Sequence, residues 1–426
     1  MREGLSSFKR SRPLRIPACC ALVRISILTL ATSVLALSAS GVLAQSRPTA
    51  MTEADAVARA LADPAFADQS SAQREAARAG ADAITRFANP HVSVSRGALS
   101  GPGEDETEWE IEVVQPLDLT GRRSALRAAA VAEADAVDAE TERRTAERAA
   151  DARRAWTACA VAGRRAEAAR VLVAHLGEAE RIVTERTEAG DTAVYDLRRV
   201  RVESRAAQGE ASLAEGELRA ECAVLARLTG TTEARAAGPL APPAPMAATV
   251  ETTRADLVAR ERRVAAAAQT ARAAERSRWP EIEVGLGWRR VEALGVEADG
   301  PQIMIGASIP LFDTGSARAR EARARERAAA ADLALARREA ATDVEAASAR
   351  LNAALDAAAA ARAARDDASR LGTIARTAYE AGEIGVAELV DAYRAAHETE
   401  LSIIELTGRA NLAAIELDLA QGGPNP

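Results

Sequence analysis

The sequence predicts a mostly helical fold with a small β part, in which very long antiparallel helical hairpins are joined to a few strands. Three observations carry this expectation. There is no proline between Leu117 and Gly238, nor between Leu311 and Gly423, so nothing of that kind interrupts helices of exceptional length. The apolar fraction is 48% and largely alanine, while aromatic residues make up only 3%; such side chains let helices approach closely but fill little space, which suits thin bundles. The third observation is a pattern that occurs twice. Pro116-Leu117-Asp118-Leu119-Thr120-Gly121 is followed by Glu188-Ala189-Gly190, and Pro310-Leu311-Phe312-Asp313-Thr314-Gly315 by Glu380-Ala381-Gly382.

The paired prolines lie 194 residues apart and the paired hinge glycines 192. Solenoid units reach only roughly 50 residues, so each copy is a large half of the molecule. We expect a first repeat over 45–230, a proline-rich linker over 231–250, a second repeat over 251–422 and a tail at 423–426.

Residues 1–44 read as a secretory signal. Arg2, Lys9, Arg10, Arg12, Arg15 and Arg24 make a basic start, Ile25 to Leu37 an apolar stretch, and Val42-Leu43-Ala44 a small-residue cleavage site. The competing reading is an uncleaved anchor, against which Ser and Thr in the apolar stretch argue. Gln45 at the expected mature start, where acylation needs a cysteine, speaks against a lipid modification. Removal takes away six positive charges and one negative from a chain of net charge −7, leaving about −12. A chain so acidic is a poor binder of nucleic acid. No segment beyond the signal reaches the ~18 consecutive apolar residues of a membrane helix.

Thr52-Glu53-Ala54-Asp55 reads as a helix-starting capping box. Its helix runs to about Ala83, with a possible break at Pro64, and Asn89-Pro90 ends it. Strands are expected over 91–99 and 107–117, where Trp109, Ile111 and Val113 alternate with Glu108, Glu110 and Glu112. The second copy repeats this over 281–291 and 301–311. The loops between them, Ser100 to Glu106 and Gly295 to Gly300, are rich in Gly and acid. Helical hairpins follow over 121–230 and 315–422, hinged at Gly190 and Gly382. The helix from Gly121 to Gly190 covers about 69 residues, or roughly 100 Å. The segment from Arg254 to Arg276 is a further helix.

Each strand is apolar on one face and polar or small on the other. Such strands either half-bury on a soluble core or line a transmembrane barrel. The long alanine-rich helices are poorly shaped to cover a four-stranded sheet, and the signal points outward, so the barrel is favoured. A barrel needs about eight strands or more, which requires several chains to pool four each.

Asn89-Pro90-His91-Val92-Ser93-Val94, Gln115-Pro116-Leu117-Asp118-Leu119-Thr120-Gly121-Arg122-Arg123, Trp279-Pro280-Glu281-Ile282, Ile309 to Gly315 and both hinges together resemble the TolC-type outer-membrane efflux factors. The segment from Gln115 to Arg123 is most similar to the CzcC-like branch, which serves metal-exporting pumps. The resemblance extends in order over 51–422. It implies a homotrimer, with a transmembrane β-barrel completed by trimerisation, four strands per chain, and an α-helical tunnel in the periplasm. It further implies a passive exit duct in the cell outer membrane, in contact with outer-membrane lipid. Its partners would be a periplasmic adaptor of the membrane-fusion type and an inner-membrane efflux pump, and its cargo metal ions or small toxic compounds. A periplasmic helical-hairpin adaptor or structural protein is the alternative, although adaptors carry one hairpin in a β-rich chain.

Within that resemblance, Glu388 and Asp391 match the acidic pair that rings the tunnel constriction; a solvated helix face is the plainer reading. Asp196 and Tyr379 match a closing latch, in which the tyrosine hydroxyl bonds the carboxylate. The family's basic residue two positions past the second hinge glycine is replaced by Ile384. The hinge tips at Gly190 and Gly382 are where an adaptor would touch. Cys159 and Cys222 lie equally far from the first hinge on its two sides, so an antiparallel hairpin brings them opposite. A disulfide is expected there, two buried thiols being the alternative. Trp109, Trp279 and Trp288 fit either an interfacial aromatic belt or ordinary packing. His91, His175 and His397 have no ligand spacing, so neither bound metal nor cofactor is expected. No nucleophile, phosphate loop or acid–base cluster suggests an enzyme.

Overall fold

The computed structural model describes residues 48–423, apart from 86, 102–103, 250–253 and 294. The signal expected over 1–44 lies outside the described residues. Two strand pairs and two helical hairpins dominate the rest. The chain begins with β1 (Thr49–Met51), α1 (Glu53–Leu61) and α2 (Pro64–Asp82), followed by β2 (His91–Gly101), β3 (Glu104–Leu117), α3 (Arg122–Ala189) and α4 (Val194–Leu228). Next come β4 (Ala234–Ala236), α5 (Ala255–Arg276), β5 (Glu281–Ala293), β6 (Val296–Ser308), α6 (Ser316–Ala363), α7 (Arg365–Glu380) and α8 (Val386–Gln421).

The helix starts follow from local chemistry. Thr52 accepts from the Asp55 backbone N–H while the Asp55 carboxylate accepts from the Thr52 N–H, which caps α1 reciprocally. Asp63 caps α2 ahead of Pro64, and the two helices are separated there. Asp118 explains the Pro-Leu-Asp-Leu-Thr-Gly segment. Its carboxylate accepts from the N–H groups of Arg122 (3.1 Å) and Arg123 (2.7 Å) and from the Thr120 hydroxyl (2.9 Å). The Arg122 N–H also reaches the Thr120 hydroxyl oxygen at 3.2 Å, whereas the Arg123 N–H, in the first turn of α3, has no helical partner without Asp118. Asp313 does related work at the second elbow, accepting from the Gly315 N–H at 3.0 Å.

Partial burial opposes the charge on Asp118, but the bonds from Arg123, Thr120 and Arg122 outweigh it and hold the acid below its ordinary value. Its contribution to stability is therefore present above about pH 4 and is lost as pH falls through the depressed value. Asp118→Ala is expected to destabilise the fold by about 1 kcal/mol at neutral pH, with the difference from the parent vanishing in acid; thermal unfolding across pH measures it.

The helices pack as a layer. α3 lies against α4, α5 and α8, while α6 lies against α5 and α8 and α7 against α8. α1 and α2 cover part of α3. The alanine stripe of α3, including Ala136, Ala152 and Ala166, is buried, which allows close approach over a rod of roughly 100 Å.

Four departures from the sequence expectation stand out. The strands run further into the loops, to 101 and from 104 in the first pair and to 293 and from 296 in the second. β6 ends at Ser308, so Ile309 to Leu311, placed in the strand by alternation, fall in a turn in which the Leu311 N–H bonds Ile309 O. Three residues of the expected linker form β4, which pairs in parallel with β1. Finally, the second hairpin's first arm is broken at Ala364 between α6 and α7. There the Ala364 N–H bonds Ala361 O at 3.2 Å, a local tightening to 3₁₀ spacing that interrupts the α-helical ladder.

Candidate functional site

The first candidate is the sheet. Its order is β2-β3-β5-β6, and every pairing is antiparallel. The register aligns side chains in rows across all four strands. Val92, Val113, Leu286 and Ile303 form one row, and Val94, Ile111, Trp288 and Pro301 the next. This face is open: Leu286 is 64% exposed and Ile303 73%. Apolar residues so placed on a continuous face mark a surface that something apolar covers.

The tryptophans bound this band. Trp279 sits just ahead of β5, and Trp288, beside Trp109 of the neighbouring strand, is nine residues further on. That is about 30 Å of strand, or roughly 23 Å across at a tilt of ~40°. Such a height fits the apolar belt of an outer-membrane barrel, with aromatic residues at both edges. Near the inner edge, Leu119, Leu311 and Phe312 are also exposed.

The opposite face is polar and acidic. Glu106, Glu108, Glu110 and Glu112 of β3 share it with Glu283 and Arg289 of β5, and Arg289 pairs with Glu108 at 2.5 Å. Two glycines make room there. A Cβ on Gly285 would stand 2.8 Å from Glu112 Oε1, and one on Gly287 2.9 Å from the Ile111 carbonyl oxygen. Among the described residues, β2 and β6 each have one neighbour in the sheet. Their outer edges carry backbone groups available for pairing with another chain.

The second candidate is the pair of hairpin tips. Both close with a Schellman arrangement. The Asp191 N–H reaches Arg186 O (2.8 Å) and the Glu383 N–H reaches Ala378 O (2.8 Å), with Gly190 and Gly382 at positive φ (84° and 78°). A non-glycine residue would be strained at either position. Above the tips α3, α4, α7 and α8 bury a shared cluster that includes Leu176, Val183, Val200, Tyr379, Leu389 and Tyr393. Ile384, where the resemblance expected a base, packs its side chain against this cluster.

The expected Asp196–Tyr379 bond is not formed. Tyr379 is buried in the cluster, and its hydroxyl has no hydrogen-bond partner among the described residues. Arg186 joins the tips instead. Its guanidinium donates to Tyr379 O (3.0 Å) and Glu380 O (2.7 Å) and lies over the Tyr379 ring at 5.0 Å. A cation at the C-terminal carbonyls of α7 also suits the helix dipole. Sequence reading missed Arg186 because neither the hinge pattern nor the resemblance marks it.

Glu388 and Asp391 are both exposed at the start of α8. Asp391 faces Arg199 of α4 at 4.0 Å, a loose and well-solvated pairing. One turn apart on one helix face, the two carboxylates point the same way.

Midway along the first hairpin, Cys159 and Cys222 form a disulfide with Cα atoms 4.7 Å apart. It lies in a buried cluster with Met51, Trp156 and Leu225, where the Trp156 indole donates to Met51 O at 2.9 Å. Among the described residues no group of three or more His, Cys, Asp or Glu is placed to hold a metal ion. No helix among them is long and apolar enough to cross a membrane.

Residues 249–423 match the family described as outer membrane efflux protein. Over the whole fold, the chain is similar to a membrane protein from Pseudomonas aeruginosa at 19% identity, covering 87% of this chain and 90% of that one with a TM-score of 0.75. It is similar to CusC, whose structures are described in connection with transmembrane channel formation, at 18% identity over 87% and 92% with a TM-score of 0.75. The outer membrane protein VceC from Vibrio cholerae gives 17% identity over 87% and 96% and a TM-score of 0.74. No curated protein matches the sequence. At these identities the likeness establishes the fold, which is that of solved outer-membrane channels.

Proposed function

We propose that the protein is the outer-membrane channel of a tripartite efflux system, a passive duct through which an inner-membrane pump expels its cargo. Three chains pool their four strands into one barrel, and their hairpins make one periplasmic tunnel. The tips at Gly190 and Gly382 meet a periplasmic adaptor. One observation carries this reading: a four-stranded sheet with an open apolar face bounded by tryptophans, an acidic opposite face, and two unpaired edges. The match of 249–423 to the efflux family and the channel fold of its structural relatives support it. The segment from Gln115 to Arg123, with its CzcC-like form, favours metal ions over other small toxic compounds as cargo.

Glu388 and Asp391 line the constriction in this reading, each repeated around the axis. Rings of carboxylates favour cations. Glu388→Ala with Asp391→Ala is expected to lower the cation-over-anion permeability ratio severalfold in planar bilayers. An unchanged reversal potential in a salt gradient would remove these residues from the constriction.

A further inference from the structure

The first arm of the second hairpin ends in a segment with few fastenings. α7 is separated from α6 by the break at Ala364, and among the described residues the side-chain hydrogen bonds that join it to other elements lie at its two ends. At its start Arg365 donates to the Glu400 carboxylate of α8 at 3.2 Å. At its tip Arg186 of α3 donates to Tyr379 O and Glu380 O. Between these ends Gly372 and Thr373 border a cavity of about 550 Å3, whose other walls are α3, at Leu172 and His175, and α8, at Tyr393 and His397. A helix that borders a cavity along one side has fewer packing contacts there and is displaced more readily as a unit.

Two groups at the tip act in opposite directions. Arg186 has no carboxylate within ion-pairing distance among the described residues; Glu185 is held by Arg181 at 2.6 Å, and the Glu380 carboxylate faces Arg376 at 3.9 Å. The guanidinium is directed at two backbone carbonyls instead, and the one on Glu380 has no other donor among the described residues. Charge-assisted, two-pronged bonds are stronger than neutral ones, and the last carbonyls of a helix have no partner within it. The Tyr379 side chain works against this hold. It is 3% exposed with an unpartnered hydroxyl, a burial that is unfavourable and is relieved when the ring reaches water.

We propose that Arg186 is a positioning residue, the clasp that keeps the end of α7 docked on α3, and that the Tyr379 hydroxyl biases the segment toward release. In the channel reading, release of α7 in every chain widens the inner end of the duct. That gating role rests on the channel reading; the clasp itself does not. The sign is opposite to that of a tyrosine latch, since removing the hydroxyl tightens the tip.

The test uses the purified full-length protein in a nonionic detergent. Amide hydrogen exchange is followed over residues 366–383, with the segment around Cys159 as internal reference, and conductance is read in planar bilayers. Arg186→Met keeps an apolar stem without donors and is expected to speed exchange over 366–383 about tenfold, with the reference unchanged. It should also raise single-channel conductance roughly twofold. Arg186→Lys, which keeps the charge but not the fork, should fall between parent and Met variant. Tyr379→Phe is expected to slow the same exchange about threefold and to leave conductance no higher than in the parent. Circular dichroism checks helix content, and Tyr379→Phe, which keeps the packing, carries the test if the arginine variants misfold. Parent-like exchange in Arg186→Met, or faster exchange in Tyr379→Phe, would overturn the clasp. Faster exchange in Arg186→Met with the conductance of a conducting parent would overturn its gating role. A parent that forms no channel removes the channel reading, and exchange alone then decides the clasp.

Discussion

Leu286→Arg is expected to eliminate the assembled protein from the outer membrane. Leu286 lies on the exposed apolar sheet face, between Val113 and Ile303 on the neighbouring strands. A guanidinium on the lipid face of a barrel costs about 2–4 kcal/mol at the midplane and less toward the edges; Leu286 stands two residues inside the Trp288 edge, and a homo-oligomer incurs the cost in every chain. Ser95→Arg is the control. Ser95 pairs with Glu110 on the opposite, acidic face, which lines the wet lumen in the proposed barrel, so that variant should assemble. Immunoblots of unheated outer-membrane fractions measure both. If the protein were instead a periplasmic adaptor with a soluble sheet, the arginine at an already exposed position would be harmless and both variants would behave like the parent.

Loss of the Cys159–Cys222 pair is expected to have the largest effect on stability. The bond joins residues 63 apart in sequence, and closing such a loop is worth about 4 kcal/mol in the chain-entropy account. Double replacement by serine, or reduction, should lower the midpoint of thermal unfolding by roughly 5–10 °C. The effect should centre on the cluster of Met51, Trp156 and Leu225, through which α3 and α4 are tied to the β1–β4 pair. Alkylation of both cysteines in native, unreduced protein would contradict the assignment. A bond of this kind also needs an oxidising compartment, which is where the secretory signal read in residues 1–44 would send the chain.

The parts of the fold legible in the sequence are those written as long periodic signals. Alternation in Trp109-Glu110-Ile111-Glu112-Val113 marks β3, and the absence of proline after Leu117 marks the rods. The elbows were visible as a motif, but its cause, the Asp118 cap on two backbone N–H groups, needed coordinates. What was missed has no period to read. β1 and β4 are three residues each, too short for alternation to show. The break at Ala364 falls in an alanine run with neither glycine nor proline, and shows only as the Ala364 N–H turning to Ala361 O. The hairpin tips show the same limit. Asp196 and Tyr379 were paired by resemblance, yet Tyr379 turns into the core, and Arg186, one turn before its own hinge, makes the cross-tip contacts. His175 and His397 have no spacing in sequence that suggests a common site, and only the packing of α3 against α8 brings them to one cavity.

The two hairpins are unequal at their tips. The first hairpin has a continuous rod in α3 and presents Arg186 and Arg199, while the second is divided at Ala364 and presents Glu388 and Asp391. The short segment α7 is thus bounded by the break at Ala364 at one end and the Arg186 contacts at the other. Any opening of the inner end that moves α7 must break those contacts.

The account depends above all on the sheet being one part of a shared barrel. Native mass spectrometry of protein extracted from outer membranes in detergent tests this most directly. The account predicts a species of three chains that falls to single chains only after heating; a single chain recovered in the soluble periplasmic fraction, without detergent, would contradict it.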